Sequence, residues 1–374
     1  MIRNVLSLFF ILFLPVIISA QSINVAVTPA TTGNGSSVFS LANGAVVELE
    51  SGQIRFPDSG LTSNFAAVGV SPDRTVVSLL DNVEGRAEVT LLNARGDTLN
   101  KYTSIALGSN DPSLSVYPTN AGHLLLRNNI MNFTFHDELG EIGTNISNGS
   151  STQQGETISE LVTNPGHETF IIYTTKIKSG GTVGSKVQMI DTDKQLRQIF
   201  QSDDRYIEDL KLSYDGNMIT VVTAADGTHD RVTVMDKYGN EINTIVSEEE
   251  LVGANLADNG KYLTLFSDTR IRVYNLLNGE NMGSTSLQQP VFMADYFSED
   301  DMLLIISGYY SSSSEDLNNI EVKAVDLARR DIVSESFSEV LRFHEVFTPE
   351  IRRISSNKYQ LVGANKELSI EVAF

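Results

Sequence analysis

Residues 213–239 are SYDGNMITVVTAADGTHDRVTVMDKYG. A polar turn with Asp215-Gly216 leads into an apolar run. A loop with Gly227 follows, then an alternating run that ends at a turn with Gly239. Short runs rich in Val, Ile and Thr, bounded by Gly, Asp and Asn, are strand signals. The unit recurs. SPDRTVVSLL begins at Ser71, PTNAGHLLLR at Pro118 and NPGHETFIIYT at Asn164. SYDGNMITVVT begins at Ser213, ADNGKYLTLFS at Ala257, SEDDMLLIISG at Ser298 and SSNKYQLVGA at Ser355. These seven copies lie about 40 to 57 residues apart, a period that signals solenoids, propellers or arrays.

Each copy continues in the same way. A second, alternating run such as AEVTLLNARG or RIRVYNLLNG follows the apolar one. After a short turn comes a more polar run such as DTLNKYTSI or EINTIVS, and a further short run precedes the next polar turn. Four short antiparallel strands per repeat predict an all-β, seven-bladed β-propeller of four-stranded blades. The apolar second strand is expected between blades, and the polar fourth strand at the outer edge. The last unit, from FTPEIRRI to Phe374, supplies three strands. A strand from the N-terminal region would complete it and protect its edge. An eighth blade built from residues 22–60 is the alternative. The division expected is a signal peptide at 1–20, an N-terminal segment with closing strands at 21–63, and propeller repeats at 64–374.

The turns SPDR, SYDGN and SEDD resemble the S-P-D-G-type turn of WD40-like propellers, the TolB-type repeats among them. More broadly, residues 64–374 resemble the WD40/YVTN/quinoprotein-like β-propeller superfamily. That resemblance implies a fold and no particular activity. PTNAG and SSNKY depart from the turn pattern, and the chain has no Trp for a Trp-Asp signature.

The first twenty residues carry Arg3, the apolar run VLSLFFILFLPVIIS and Ala20 before Gln21. That is the layout of a signal peptide. The chain is therefore expected to be exported, periplasmic or extracellular, with no membrane span after cleavage. It has no cysteine, which excludes disulfides, thiolate zinc sites and thiol catalysis. An exported chain of this length without disulfides points to a bacterium. The formal net charge is -20. A polyanion repels phosphate backbones and anionic lipid, so no nucleic-acid partner is expected.

No catalytic, cofactor-binding or metal motif is present. Quinone-cofactor, sialidase and prolyl-peptidase signatures fail, and GGTVGSK at 180–186 has the wrong spacing for a phosphate loop. His123 and His167 occupy equivalent turns and are weighed as metal ligands, as are Asp203, Asp204, Asp226 and Asp230 for calcium. Exposed turn residues are the simpler account. Carboxylate pairs such as Asp300-Asp301 are expected only to solvate a surface.

Strand alternation puts the tight first-to-second and third-to-fourth turns on one face. The longer connections, 176–186, 224–230 and 308–319, lie on the other, with 145–156 between blades. Long loops on a rigid scaffold commonly carry binding. Tyr309 and Tyr310, beside a serine run, are the binding residues singled out. The expected function is an exported, monomeric, non-enzymatic binding or scaffolding module for a protein or glycan partner. The alternative is a lyase or hydrolase acting on sugars in the central channel.

Overall fold

The computed structural model describes residues 21–29, 38–40, 44–48, 52–55, 62–73, 75–83, 86–93, 95–106, 115–129, 132–137, 142–147, 157–164, 168–178, 181–191, 195–213, 215–225, 227–257, 259–268, 270–343 and 349–374. The expected signal peptide, His167 and Asp226 lie outside them.

The described residues are strands and turns, in eight antiparallel sheets. β1 (Ser22–Pro29) is the first strand described. The first sheet is β2 (Val38–Ser40), β3 (Val46–Glu48), β4 (Gln53–Arg55) and β5 (Thr62–Asn64). The second is β6 (Ala67–Val70), β7 (Val76–Val83), β8 (Arg86–Asn93) and β9 (Thr98–Ala106). β10 (Ser115–Pro118), β11 (Leu124–Asn129), β12 (Asn132–His136) and β13 (Ile142–Ser147) form the third. The fourth holds β14 (Thr157–Thr163), β15 (Phe170–Lys178), β16 (Gly181–Ile190) and β17 (Arg197–Ser202). In the fifth are β18 (Tyr206–Leu212), β19 (Met218–Ala224), β20 (Asp230–Asp236) and β21 (Glu241–Ser247). β22 (Gly253–Leu256), β23 (Tyr262–Phe266), β24 (Arg270–Asn275) and β25 (Asn281–Ser286) make the sixth. The seventh has β26 (Val291–Phe297), β27 (Met302–Ser311), β28 (Asp316–Asp326) and β29 (Asp331–Phe337), with β30 (Leu341–Arg342) added beside β28. The eighth is β31 (Glu350–Ser355), β32 (Lys358–Val362) and β33 (Lys366–Ala373), completed by β1.

The chain is thus a β-propeller of consecutive four-stranded meanders. Each of the seven repeats counted in the sequence forms a sheet. Eight sheets are present among the described residues, because a further four-stranded sheet, β2–β5, precedes these seven. Its strands are three residues long and lack the long apolar run by which the others are recognised.

Burial follows strand rank. The second strand β19 is almost wholly buried and β27 is buried from Met302 to Gly308, because sheets pack on both of their faces there. Third strands such as β20 alternate, and the fourth strand β29 alternates between half-buried and exposed. First strands of successive sheets adjoin one another, β6 beside β10, β18 beside β22, and β22 beside β26. That places them innermost. Among the described residues seven apolar clusters join the eight sheets in chain order. One example is Val222, Val234 and Leu256 between the fifth and sixth. Burial of aliphatic area at about 25 cal/mol per Å² is the force that holds neighbouring sheets together.

The repeated polar turn is a closed hydrogen-bond circuit. The Ser71 and Ser213 hydroxyls each donate to the aspartate two residues on, at 2.8 and 2.6 Å. Each serine oxygen also accepts from the amide five residues on, Val76 or Met218. Asn164 performs the same task in the fourth sheet, its Oδ1 accepting from the Glu168 and Thr169 amides. These side chains satisfy turn amides that would otherwise need water. The third-to-fourth turns use an Asx residue instead. Asn93, Asp236, Asn275 and Asp326 each accept from an amide two or three residues on.

Two of those turns offer a matched test. Gly239 and Gly279 occupy equivalent places, with φ of 83° and 69°. A Cβ at Gly279 would meet nothing within 4 Å, whereas at Gly239 it would lie 2.8 Å from the Ile199 carbonyl of the preceding sheet. Gly279→Ala should cost about 1–2 kcal/mol for the left-handed backbone. Gly239→Ala should cost a further ~1–3 kcal/mol for the forced contact. Denaturant unfolding of the two variants checks this; equal losses would mean that the inter-sheet contact at Gly239 is not tight.

Candidate functional site

β28, at eleven residues, is the longest strand described, and with β27 it builds a hairpin that projects from the seventh sheet. The register shifts between Ser307 and Tyr309. Gly308 sits at that shift, where a Cβ would stand 2.8 Å from the Asn318 carbonyl. Beyond it pairing resumes, Tyr309 opposite Asn318, Tyr310 opposite Leu317 and Ser311 opposite Asp316. The stretch 308–319, expected as a loop, is therefore mostly paired strand. The same holds for 176–186, where Lys176 pairs with Gly184 and Lys178 with Gly181. Alternating Ser, Thr and Lys hid these extensions, since they carry little apolar signal.

The hairpin is clamped. β30 adds to β28, with Asp316 opposite Arg342 and Leu317 opposite Leu341. Arg342 Nε donates to Asp316 Oδ1 at 2.9 Å, and the Phe343 amide to the Glu315 carbonyl at 2.9 Å. Asn365 exchanges hydrogen bonds with the Arg342 backbone, and Phe343 bridges Ala364. The tip of the seventh sheet is thereby tied to the eighth.

The two tyrosines have different surroundings. Tyr310, 47% exposed, leans on Phe292 at 5.4 Å, which stacks on Phe343 at 4.7 Å. Burial, with Glu315 and Asp316 nearby, pushes its phenol pKa up. Tyr309 is the residue before it on the strand, so it faces the other way, and it is 54% exposed. Beside the hairpin an open cleft of about 470 Å³ is lined by Gln289, Asn319, Ile320, Ser336, Phe337 and Glu339 among others.

The connection at 224–230 is also fixed from within. Buried Arg205 donates to Thr223 Oγ1, the Thr223 carbonyl, Thr228 Oγ1 and the His229 carbonyl. Asp230 accepts from the Leu251 amide at 2.7 Å. Asp203 and Asp204 accept from Gln201 and Ser202. Asp203, Asp204 and Asp230 are thus engaged by neighbours, and no group of three His, Asp or Glu among the described residues is placed to hold a metal. His123 lies edge-on to Phe135 at 5.7 Å.

On the tight-turn face one expectation is corrected. Asp300 does not merely solvate a surface. Its side chain is 4% exposed and is held by Arg353 through bonds of 2.6 and 3.0 Å. Tyr359 Oη donates at 2.8 Å and Ser356 Oγ at 3.2 Å. The Arg353 guanidinium, aided by Tyr359, holds the carboxyl down to about 2. All of these donors come from the eighth sheet, so the network joins it to the seventh. Asp301 accepts from Tyr296 Oη.

Polar groups do stand on the innermost strands, which the sequence presents as mostly apolar. Glu160 accepts from Tyr173 at 2.9 Å, Asp209 faces Lys211 at 3.4 Å, and Asn255 donates to Asp295. Arg352 pairs with Glu350 at 2.9 Å. Burial and then Glu160 hold the Tyr173 phenol well above its ordinary range.

No family model matches the sequence, and no curated protein matches it. Among solved structures the chain is similar to the Dos1 propeller, at 11% identity and a TM-score of 0.49, over 92% of this chain and 95% of that one. It is similar to Saccharomyces cerevisiae Sqt1 at 12% identity and 0.45, over 82% and 95%. The C-terminal WD40 domain of Sif2 aligns at 13% identity and 0.44, over 95% and 99%. The resemblance to WD40 propellers is one of fold alone.

His136, on β12 of the third sheet and apart from the hairpin, gives the fold a pH signature. It is 1% exposed, stacks on Tyr102 at 5.0 Å and meets Thr134 Oγ1 at 3.1 Å. Burial, only partly opposed by Asp137, pushes its pKa from 6.5 down to about 4. The unfolded chain therefore takes up this proton at a higher pH than the folded chain. The stabilisation is complete above pH 6.5, is lost as pH falls from 6.5 to about 4, and amounts to on the order of 3 kcal/mol. Denaturant unfolding near neutral pH and about pH 5 should show a smaller acid loss in His136→Phe than in the parent chain. An identical loss in both would remove His136 as the source.

Proposed function

We propose that the chain is a non-catalytic binding module that docks a protein partner on the rim carrying the β27–β28 hairpin. The observation that supports this is a pair of half-exposed tyrosines on a hairpin clamped at its tip by β30, Arg342 and Asn365. An ordered platform loses little conformational entropy on binding, and tyrosine offers large amphipathic area on few rotors. Glu315 beside the tyrosines and Glu339 in the cleft, on a chain of formal charge -20, favour a partner segment bearing Lys or Arg. A glycan stacked on Tyr309 is the other occupant of the same surface. We keep export of a mature chain starting near Gln21 as part of this proposal.

The reading as a sugar lyase or hydrolase needs two or three titratable groups converging on one cavity. Glu160, Asp209, Asp295 and Glu350 stand on innermost strands, but each is engaged by a neighbouring side chain. That favours structural roles.

The test is capture of a partner from the source's own extract, followed by affinity measurement with the purified partner. Tyr309→Ala should weaken binding by about 1–3 kcal/mol. Its unfolding free energy should stay within about 0.5 kcal/mol of the parent. Tyr310→Ala should weaken binding and also lower stability, because it uncovers Phe292 and Phe343. Intact affinity in both variants would place the interaction elsewhere.

A further inference from the structure

The eighth sheet differs from the other seven in how its outer strand arrives. In every other sheet the fourth strand is the next strand in the chain after the third and pairs antiparallel with it. β1 instead comes from the opposite end of the chain and pairs antiparallel with β33 over eight residues, Ser22 opposite Ala373 through Pro29 opposite Lys366. Its only covalent connection to the ring is residues 30–37, which lead to β2 in a different sheet. β1 can therefore leave its seat without breaking any other strand pair.

Its hold is modest. Ser22, Asn24, Ala26 and Thr28 are exposed, while Ile23, Val25 and Val27 are only half-buried against the core of the last two sheets. The Val25 amide also donates to Glu335 Oε2 at 2.8 Å, a contact to the outer strand of the seventh sheet. The seat itself is well defined. On β33 the buried Leu368, Ile370 and Val372 stand directly opposite Val27, Val25 and Ile23. That edge selects an extended strand with aliphatic residues at three alternate positions. It is uncovered whenever β1 is out, and an uncovered edge pairs with another chain.

We infer that the edge of β33 is an exchangeable strand-accepting site, and that its second occupant is β1 of another copy of this chain. The incoming strand is identical to the resident one, so all eight backbone pairs and the three aliphatic contacts re-form without adjustment. Residues 30–37 have a contour length of at most about 28 Å. Exchange of an identical element is a low-cost route to a dimer. The inference concerns a different edge from the tyrosine rim and stands apart from the proposed function.

The probe is a labelled synthetic peptide of residues 21–30, added to the full-length protein. Uptake should be slow and saturable, and should be lost in a peptide carrying Val25→Asp and Val27→Asp. Ala26 and Ser369 are exposed and directly opposed, and the chain has no cysteine of its own. An Ala26→Cys, Ser369→Cys chain, once oxidised, should take up no peptide and form no dimer in light scattering at high concentration. Reduction should restore both, which controls for a folding defect. No uptake by the parent chain, or equal uptake by the oxidised variant, would overturn the inference.

Discussion

The pairing of Ser22–Pro29 with Lys366–Ala373 joins residues more than 330 positions apart, and the last sheet cannot be completed without it. Every other sheet assembles from one local stretch of chain. Its hairpins form between neighbours, and its loop-closure cost is small. The final sheet has three strands of its own, and its fourth must wait for the N-terminal segment. The order of assembly that follows is sheets first, ring closure last, with β33 the edge at risk until β1 is seated.

Around that closure the structure depends on two kinds of repeated contact. Aliphatic clusters fill the spaces between sheets and draw on first, second and third strands, the second strands such as β19 being covered on both faces. Polar circuits hold the turns, and some of them reach across sheets. The Asp300 carboxylate is the clearest case, with donors from Arg353, Ser356 and Tyr359 of the next sheet. Removing one partner of such a buried pair leaves the other charge uncompensated, which is costlier than losing a surface ion pair. Besides their shared apolar cluster, the seventh and eighth sheets are thus tied by polar contacts at three places among the described residues. The Asp300 network acts on one face, β30 with Asn365 acts on the other, and Glu335 with Val25 acts at the outer edge.

Legibility in the sequence followed the same division. Local, periodic features were plain: MITVVTA and MLLIISG as covered second strands, EINTIVS as an outer one, and Ser-x-Asp as a turn. Features that need a partner from elsewhere were not. VFS, VVE, QIR and TSN are too short to show a period, so the first sheet escaped the repeat count. Arg205 gives no local sign that it will pin the turn before His229. Asp300 looks like any acidic turn residue until Arg353 is brought beside it. Tyr309 and Tyr310 were recognisable as aromatics in a polar stretch, but their division into an outward and a packed residue depends on Phe292 and Phe343 from other strands. Function is the least legible of all, because a propeller scaffold serves many partners and its fold names none.

Native-state amide hydrogen exchange resolved to individual residues tests the closure account most directly. The amides of Ser22–Thr28 and the β33 amides bonded to them should exchange together. Their protection should fall well below that of β27 and β28, since the closing strand opens without the rest. The β33 amides bonded to β32 should stay protected. Protection of β1 equal to that of β27 would contradict the account, as would full protection of the β1-facing amides of β33 while β1 itself exchanges freely.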